Sequence, residues 1–549
     1  MLRRFCCGLF AVAAFSTPLA GQDAPDHLGE LQTRAIKEKQ ASWGHWGLDP
    51  QNYTQWGTHS NRLIPIYTFG TRQAGTGLDL DDYTRENSIY RDADRLEELY
   101  GRPPESTYNP EANYGDQTDL ARIQFAALAQ GKKHIVLIVF DGMDWQTTQA
   151  AAIVRNQNVD YDSGRGHGLY FQDYQADGTS QFGAMVTAPA IASMKVDTDK
   201  QTVEPGSKLL WGGYNARLGG STPWDVPLDR EYLIGKSSAL THPYPDSAAT
   251  ATSMTSGIKT FNGSINVGVD GSQAESIAHR AQKQGYRVGV VSSVPISHAT
   301  PAAAYAHNVS RNDYHEITRD LIGRPSVSHP QEPLPGLDVV LGGGVGELAE
   351  EAETPIEAFE TSKYVDAEDL RAVSQQNGGK YVVAVRTAGQ EGKTVLESAA
   401  TQAIKNDQRL LGVFGVGQFS GHLPFQTANG DYQPAPGRAG TAEEYSEADL
   451  DENPTLADMT SSALQVLSRG DANFWLLVEA GDVDWANHDD NLDNSIGAVF
   501  SGEQAFKVVT DWVEEHSNWQ ESLVIVTADH GHYFFMTKPD ALITPAPNE

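Results

Sequence analysis

The sequence predicts a doubly wound α/β fold, a mostly parallel central sheet with helices on both faces. Three observations predict it. From residue 132 onward short continuous apolar runs recur, helical stretches separate them, and several of the runs end on a carboxylate or an imidazole. Unbroken apolar runs suit strands buried on both faces, whereas alternation would suit a half-exposed sheet.

In chain order the runs are HIVLIVF (134–140), RVGVVSS (287–293), LDVVLGGG (337–344), LLGVF (410–414), FWLLVE (474–479) and LVIVTADH (523–530). Helices fit between them. The stretch 272–284 stops at Gly285, and after Asn453 the sequence predicts a helix with Pro454 in its first turn and Leu456, Met459, Ala463, Val466 and Leu467 at helical spacing. The stretch 22–130 is polar and rich in Tyr, Trp, Asn and Pro. It holds helix-like DADRLEELY (92–100) but no motif, and reads as an extension packing on the core. Residues 154–240 and 418–453 break the strand–helix rhythm and read as insertions over one face, and Glu-rich LAEEAETPIEAFE reads as a solvated helix face. Residues 131–549 would thus form the main α/β domain.

Composition limits the function classes. There are 72 acidic and 40 basic side chains, a formal net charge of -32, which argues against a nucleic-acid or anionic-membrane binder. At 39% hydrophobic, the chain still has material for a large core. Residues 1–21 read as a signal peptide: Arg3 and Arg4 precede an apolar run too short to span a bilayer, with cleavage near Ala20 or Gly21. Export to the periplasm or the extracellular space follows, and the chain's two cysteines, Cys6 and Cys7, would leave with the peptide. No other segment is apolar and long enough for a transmembrane span.

Open α/β sheets bind ligands beyond the carboxyl ends of their strands. The residues there are Asp141, Glu479, and Asp529 with His530. In EAGDVDWANH, Glu479 leaves a strand, and Asp484 and His488 stand one helical turn apart, a donor set suited to Zn²⁺ or, with oxygen alone, Mg²⁺. On its own this reads equally as an acidic loop with a capping histidine. In THPYPDSAATATSMTSGIKTFNG (241–263), Ser247 sits where a helix N-terminus favours an anion, so its hydroxyl could attack a phosphorus atom. Taken alone, it is an ordinary helix cap.

Together these segments resemble the alkaline phosphatase family. The resemblance runs in order through VFDGMD, PDSAATATSMTSGIKTFNG, HATPAAAYAHNVSRNDYH, DVVLGGG, NPTLADMT, FWLLVEAGDVDWANHDDN and VTADHGH, about residues 132–532. It implies a phosphomonoesterase with Ser247 as the nucleophile of a phosphoserine intermediate. Arg311, thirteen residues after His298, would be the bidentate phosphate clamp. It also implies two zinc ions, one on Asp141, Asp529 and His530 and one on Asp484 and His488, and a magnesium ion on Asp141, Thr300 and Glu479. His298 and Trp485 stand at positions that vary in the family, a difference that would affect magnesium occupancy and phosphate release, and His532 matches an outer position. Transfer would be in line between two metals about 4 Å apart. Substrates would be small phosphomonoesters, inorganic phosphate the product, and homodimers are common in the family.

One departure stands out. Family members draw another histidine for the second zinc from a motif well downstream of the TADH segment, and no histidine follows His532. Either the sequence is truncated or the site is completed differently. The runner-up readings are a related superfamily phosphodiesterase or sulfatase, the latter disfavoured by Ala248 and Ala249 after the nucleophile, and a non-catalytic metal- or phosphate-binding protein.

Overall fold

The computed structural model describes residues 26–192, 194–207, 209–236, 241–346, 355–417 and 421–546. The expected signal peptide, part of the Glu-rich segment and the start of the second expected insertion lie outside the described residues.

A ten-stranded sheet organises the molecule. In chain order its strands are β1 (Ile64–Phe69), β2 (Gly115–Asp116), β3 (His134–Phe140), β4 (Gln181–Val186), β5 (Arg287–Pro295), β6 (Val339–Gly343), β7 (Tyr381–Val385), β8 (Arg409–Phe414), β9 (Phe474–Ala480) and β10 (Ser522–Ala528). Their spatial order is β7-β8-β6-β5-β9-β3-β10-β1-β4-β2. From β7 to β10 every neighbouring pair is parallel; β1 then runs antiparallel to both β10 and β4. All six predicted runs are strands of the parallel part, and β3, β9 and β10 are buried along their whole length.

Helices cover both faces of this sheet. Trp475 of β9 donates its indole N–H to Gln124 Oε1 at 2.8 Å, on the helix Thr118–Ala129. Trp475 pairs with Val288, so the next residue of β5, Gly289, faces the other way, toward Leu467 of the helix Leu456–Ser468. The absent side chain at Gly289 lets that helix approach closely, since an added Cβ would lie 3.2 Å from Leu467. The 25-residue helix Leu492–His516 packs beside Leu456–Ser468 on the same side.

Local chemistry shifts some boundaries from the expected ones. The helix after Asn453 is capped by Thr455 and closed by Asp458 in a capping box, so Pro454 precedes the cap instead of opening the first turn. The predicted 272–284 helix is Ile277–Lys283, capped by Ser276. The segment 92–100 is helical as Ala93–Tyr100 with Asp92 as its cap. Two stretches expected to cover the core also enter it: 22–130 supplies β1 and β2, and 154–240 supplies β4.

Candidate active site

The parallel strands deliver their last residues to one edge of the sheet, as expected. Asp141 follows β3, Glu479 lies near the end of β9, and Asp529 and His530 follow β10. Because β3 pairs with both β9 and β10, these groups converge without long loops. All four are buried.

Ser247 is the first residue of the helix Ser247–Ser256, and the cap itself is Asp246, whose side chain accepts from Ala249 N–H at 3.0 Å. Gly257, at φ +72°, ends that helix in the left-handed conformation that glycine adopts most readily. With Asp246 as the cap, the Ser247 hydroxyl is left for other work. Ser247 Oγ lies 3.2 Å from His530 Nε2. Arg311 Nη1 lies 3.1 Å from Asp246 Oδ2, and that oxygen also accepts from Gly263 N–H at 3.0 Å. The guanidinium is therefore held beside the helix N-terminus.

His530 Nε2 points into the cluster, 3.3 Å from Asp141 Oδ1, 3.4 Å from Asp529 Oδ2 and 3.8 Å from Asp484 Oδ1. A hydroxyl from Thr250 to Asp529 Oδ2 (3.0 Å) and the Gly142 N–H to Asp529 Oδ1 (2.9 Å) orient that carboxylate. Thr300 Oγ1 stands 3.4 Å from Asp141 Oδ2, and Ser292 donates its hydroxyl to Glu479.

Around Asp484 the structure adds a residue that sequence reasoning missed. His59, just ahead of β1, places Nε2 3.5 Å from Asp484 Oδ1 and 3.1 Å from His488 Nε2. His488 Nε2 is itself 3.4 Å from Asp484 Oδ1. The other nitrogens settle the tautomers: His59 Nδ1 lies 2.8 Å from the Pro245 carbonyl and His488 Nδ1 2.8 Å from the Gly57 carbonyl. Carbonyls only accept, so both Nδ1 atoms carry the proton in the neutral rings. Two Nε2 lone pairs and a carboxylate oxygen then face one another with no proton between them. Such a set fits a cation, with backbone carbonyls fixing ring orientation as they do for metal-bound imidazoles. His532 Nε2 donates to Asp484 Oδ1 at 2.7 Å and so orients that carboxylate.

Electrostatics agree. Burial, reinforced by Asp529, Asp484 and Glu479, raises Asp141 well above the ordinary carboxylate range. Burial pushes Glu479 up to about 8 against the opposing hydroxyls of Ser292 and Thr300. Burial would raise Asp484 too, but His488, His532 and His59 outweigh it and hold this carboxyl well below its usual value. Asp141 Oδ1 and Glu479 Oε1 are buried without a hydrogen-bond partner. Grouped carboxylates buried this way need cations to stay ionised. Two sets can hold them: Asp141, Asp529 and His530; and Asp484 with His59 and His488, bordered by His530 and His532.

His298 and Trp485 lie at the border of the cluster, ring centroids 5.5 Å apart edge to face. Burial, with Arg311 nearby, lowers His298 to about 3. A neutral ring there adds no competing positive charge. The candidate catalytic and metal-ligating residues named from the sequence thus lie together at this one edge of the sheet.

Comparison with known proteins agrees with the geometry. The alkaline phosphatase family model matches residues 226–544. Over 312 residues the chain is 28% identical to alkaline phosphatase 3 of Bacillus subtilis (strain 168), covering 55% of this chain and 53% of that one. Over 328 residues it is 30% identical to the alkaline phosphatase of Escherichia coli (strain K12), covering 56% and 62%. The chain thus spans between half and two thirds of the length of these curated relatives. A crystal structure of Thermus thermophilus alkaline phosphatase aligns over 73% of this chain and 62% of its own at 20% identity, with a TM-score of 0.43. With the motifs in order along the sheet edge and the family model matched over more than half of its length, the chain belongs to the alkaline phosphatase family.

Proposed function

We propose that the protein hydrolyses phosphate monoesters by transferring the phosphoryl group to Ser247, with two zinc ions and one magnesium ion as cofactors. The observation that carries this reading is the pair of converging Nε2 atoms of His59 and His488, anchored from behind and aimed at Asp484, beside a nucleophile at a helix N-terminus. One zinc would be held by Asp141, Asp529 and His530, the other by Asp484, His488 and His59, and the magnesium by Asp141, Thr300 and Glu479. Bound divalent cations supply Lewis acidity toward the serine oxygen and the leaving oxygen.

The chain's own groups do the rest. Ser247 Oγ becomes the entering oxygen as the phosphorus–oxygen bond to the alcohol breaks, the serine proton passing to solvent and the alcohol leaving protonated, and backbone N–H groups of the first turn face the incoming phosphoryl group. Arg311 holds two phosphoryl oxygens in a bidentate fork, while Asp246 keeps the guanidinium from swinging out. Hydrolysis of the phosphoserine by water returns Ser247 and releases phosphate. With a net charge of -32, the exterior does not attract anions, so binding rests on Arg311, the cations and the helix N-terminus.

Steady-state hydrolysis of p-nitrophenyl phosphate, bis-p-nitrophenyl phosphate and p-nitrophenyl sulfate, with Zn²⁺ and Mg²⁺ present, tests the proposal. The monoester is expected to be turned over fastest; preference for the diester or the sulfate, or no turnover at all, would overturn it. Arg311→Ala is expected to weaken inhibition by inorganic phosphate about 10- to 100-fold, the loss of charge-assisted hydrogen bonds, while metal content is kept. Zinc loss in that variant would contradict the assigned role.

A further inference from the structure

A second cluster of imidazole and carboxylate lies away from the candidate active site. His307, Asp320 and His329 each offer a ligand atom, and these atoms lie within 4.8 Å of one another. His307 and His329 border a cleft of about 290 Å³ also lined by His279 and Lys283. His307 is 6% exposed, and its Nε2 lies 2.9 Å from the Ala274 carbonyl, which fixes the proton on Nε2. Its Nδ1 is therefore a bare lone pair, buried and without a partner. Asp320 is fully buried and held from three sides, by Ser326 Oγ at 2.6 Å, His307 N–H at 3.0 Å and His329 Nδ1 at 2.9 Å.

We propose that His307 Nδ1, Asp320 and His329 form a further divalent-metal site, suited to Zn²⁺. Two imidazoles and a carboxylate match zinc's preferences, and a tetrahedral ion at its usual bond lengths holds its donors about 3.4 Å apart, so the His329 Nδ1–Asp320 Oδ1 pair, now 2.9 Å apart, would open slightly as the ion enters. The Ala274 carbonyl behind His307 is the outer-sphere acceptor that metal-bound histidines ordinarily have. Metal entry would take the His329 Nδ1 lone pair and leave its proton on Nε2. A fourth position stays open to water. The ion would tie the loop that begins at His307 and carries Arg311 to the helix Tyr314–Ile322, which bears Asp320. The site stands independently of the proposed activity.

Anomalous diffraction from crystals of the zinc-loaded protein, collected above and below the zinc edge, tests it. A peak is expected between His307 Nδ1, Asp320 and His329, absent in His329→Ala, with bound zinc after dialysis falling by about one equivalent per chain. The isosteric His307→Gln serves as the second variant should His329→Ala fold poorly. No peak at this cluster in the zinc-loaded protein, or a peak that survives in both variants, would overturn the proposal.

Discussion

Ser247→Ala is expected to lower kcat for p-nitrophenyl phosphate by at least about 1000-fold, the scale of loss when a covalent nucleophile is removed. No neighbouring hydroxyl can stand in for it. Thr250 Oγ1 lies within hydrogen-bond reach of the Asp246 and Ser247 carbonyls and of Asp529 Oδ2, and Ser253 Oγ bonds the Ala249 carbonyl one turn back. Inorganic phosphate should still bind, because Arg311, Asp246 and the helix N-terminus are untouched. Comparison of kcat with the phosphate inhibition constant separates these effects. Equal kcat in the variant and the parent protein would remove Ser247 from the mechanism.

His59→Ala is expected to remove about one zinc equivalent per chain and to lower kcat/KM by at least about 100-fold, since loss of a proposed direct ligand should cost no less than the most that loss of an outer metal-site partner costs. The variant leaves His488 as the one imidazole presenting an unprotonated Nε2 to Asp484 from that side, since His532 Nε2 donates to the carboxylate. It also frees the Pro245 carbonyl, which directly precedes the Asp246 cap of the nucleophile helix. Metal content by plasma mass spectrometry, read beside the rate, checks both parts. Unchanged zinc and unchanged rate would show that His59 is a spectator.

These two residues also mark how far the sequence could be read. Ser247 was legible because PDSAAT opens a helix and lies in motif order with the other segments. Asp141, Glu479, Asp529 and His530 were legible because each closes an unbroken apolar run, and parallel strands carry such endings to one edge. His59 escaped because that rule assumes a parallel strand. β1 is antiparallel to β10, with Ile66 opposite Thr527 and Phe69 opposite Val524, so it is the start of β1 that reaches the functional edge. The pairing of His59 with His532 and of Ser60 with Gly531 extends this contact to the cluster. Scanning the residues before each apolar run, as well as those after, would have flagged the HSNR that precedes LIPIYTF.

β1 was itself hard to read, since IPIYTF carries Pro65, and proline argues against an interior strand. Here β1 has neighbours on both sides, and the cost is limited because Pro65 removes a single N–H. His59, from the opposite end of the chain, is the imidazole proposed to serve in place of the histidine sought beyond His532. The cluster of His307, Asp320 and His329 was invisible for a related reason. Asp320 and His329 follow His307 at helix-and-loop spacing without a recognisable ligand motif, and only folding brings the three side chains within reach of one another.

The acidic excess can also be divided. Asp141, Glu479, Asp484 and Asp529 are buried together and are the groups proposed to meet cations, whereas exposed pairs such as Lys507 with Asp511 hold solvated charge and contribute little to stability. Phosphate binding should therefore disappear with the metals.

The central claim, transfer of the phosphoryl group to Ser247, is tested most directly by trapping. The zinc- and magnesium-loaded protein is mixed with a ³²P-labelled phosphomonoester, quenched in acid within milliseconds, digested, and its peptides are sequenced by mass spectrometry. The account predicts phosphoserine at Ser247 and no label in Ser247→Ala. Turnover without any covalent label, or label on a different residue, would contradict it.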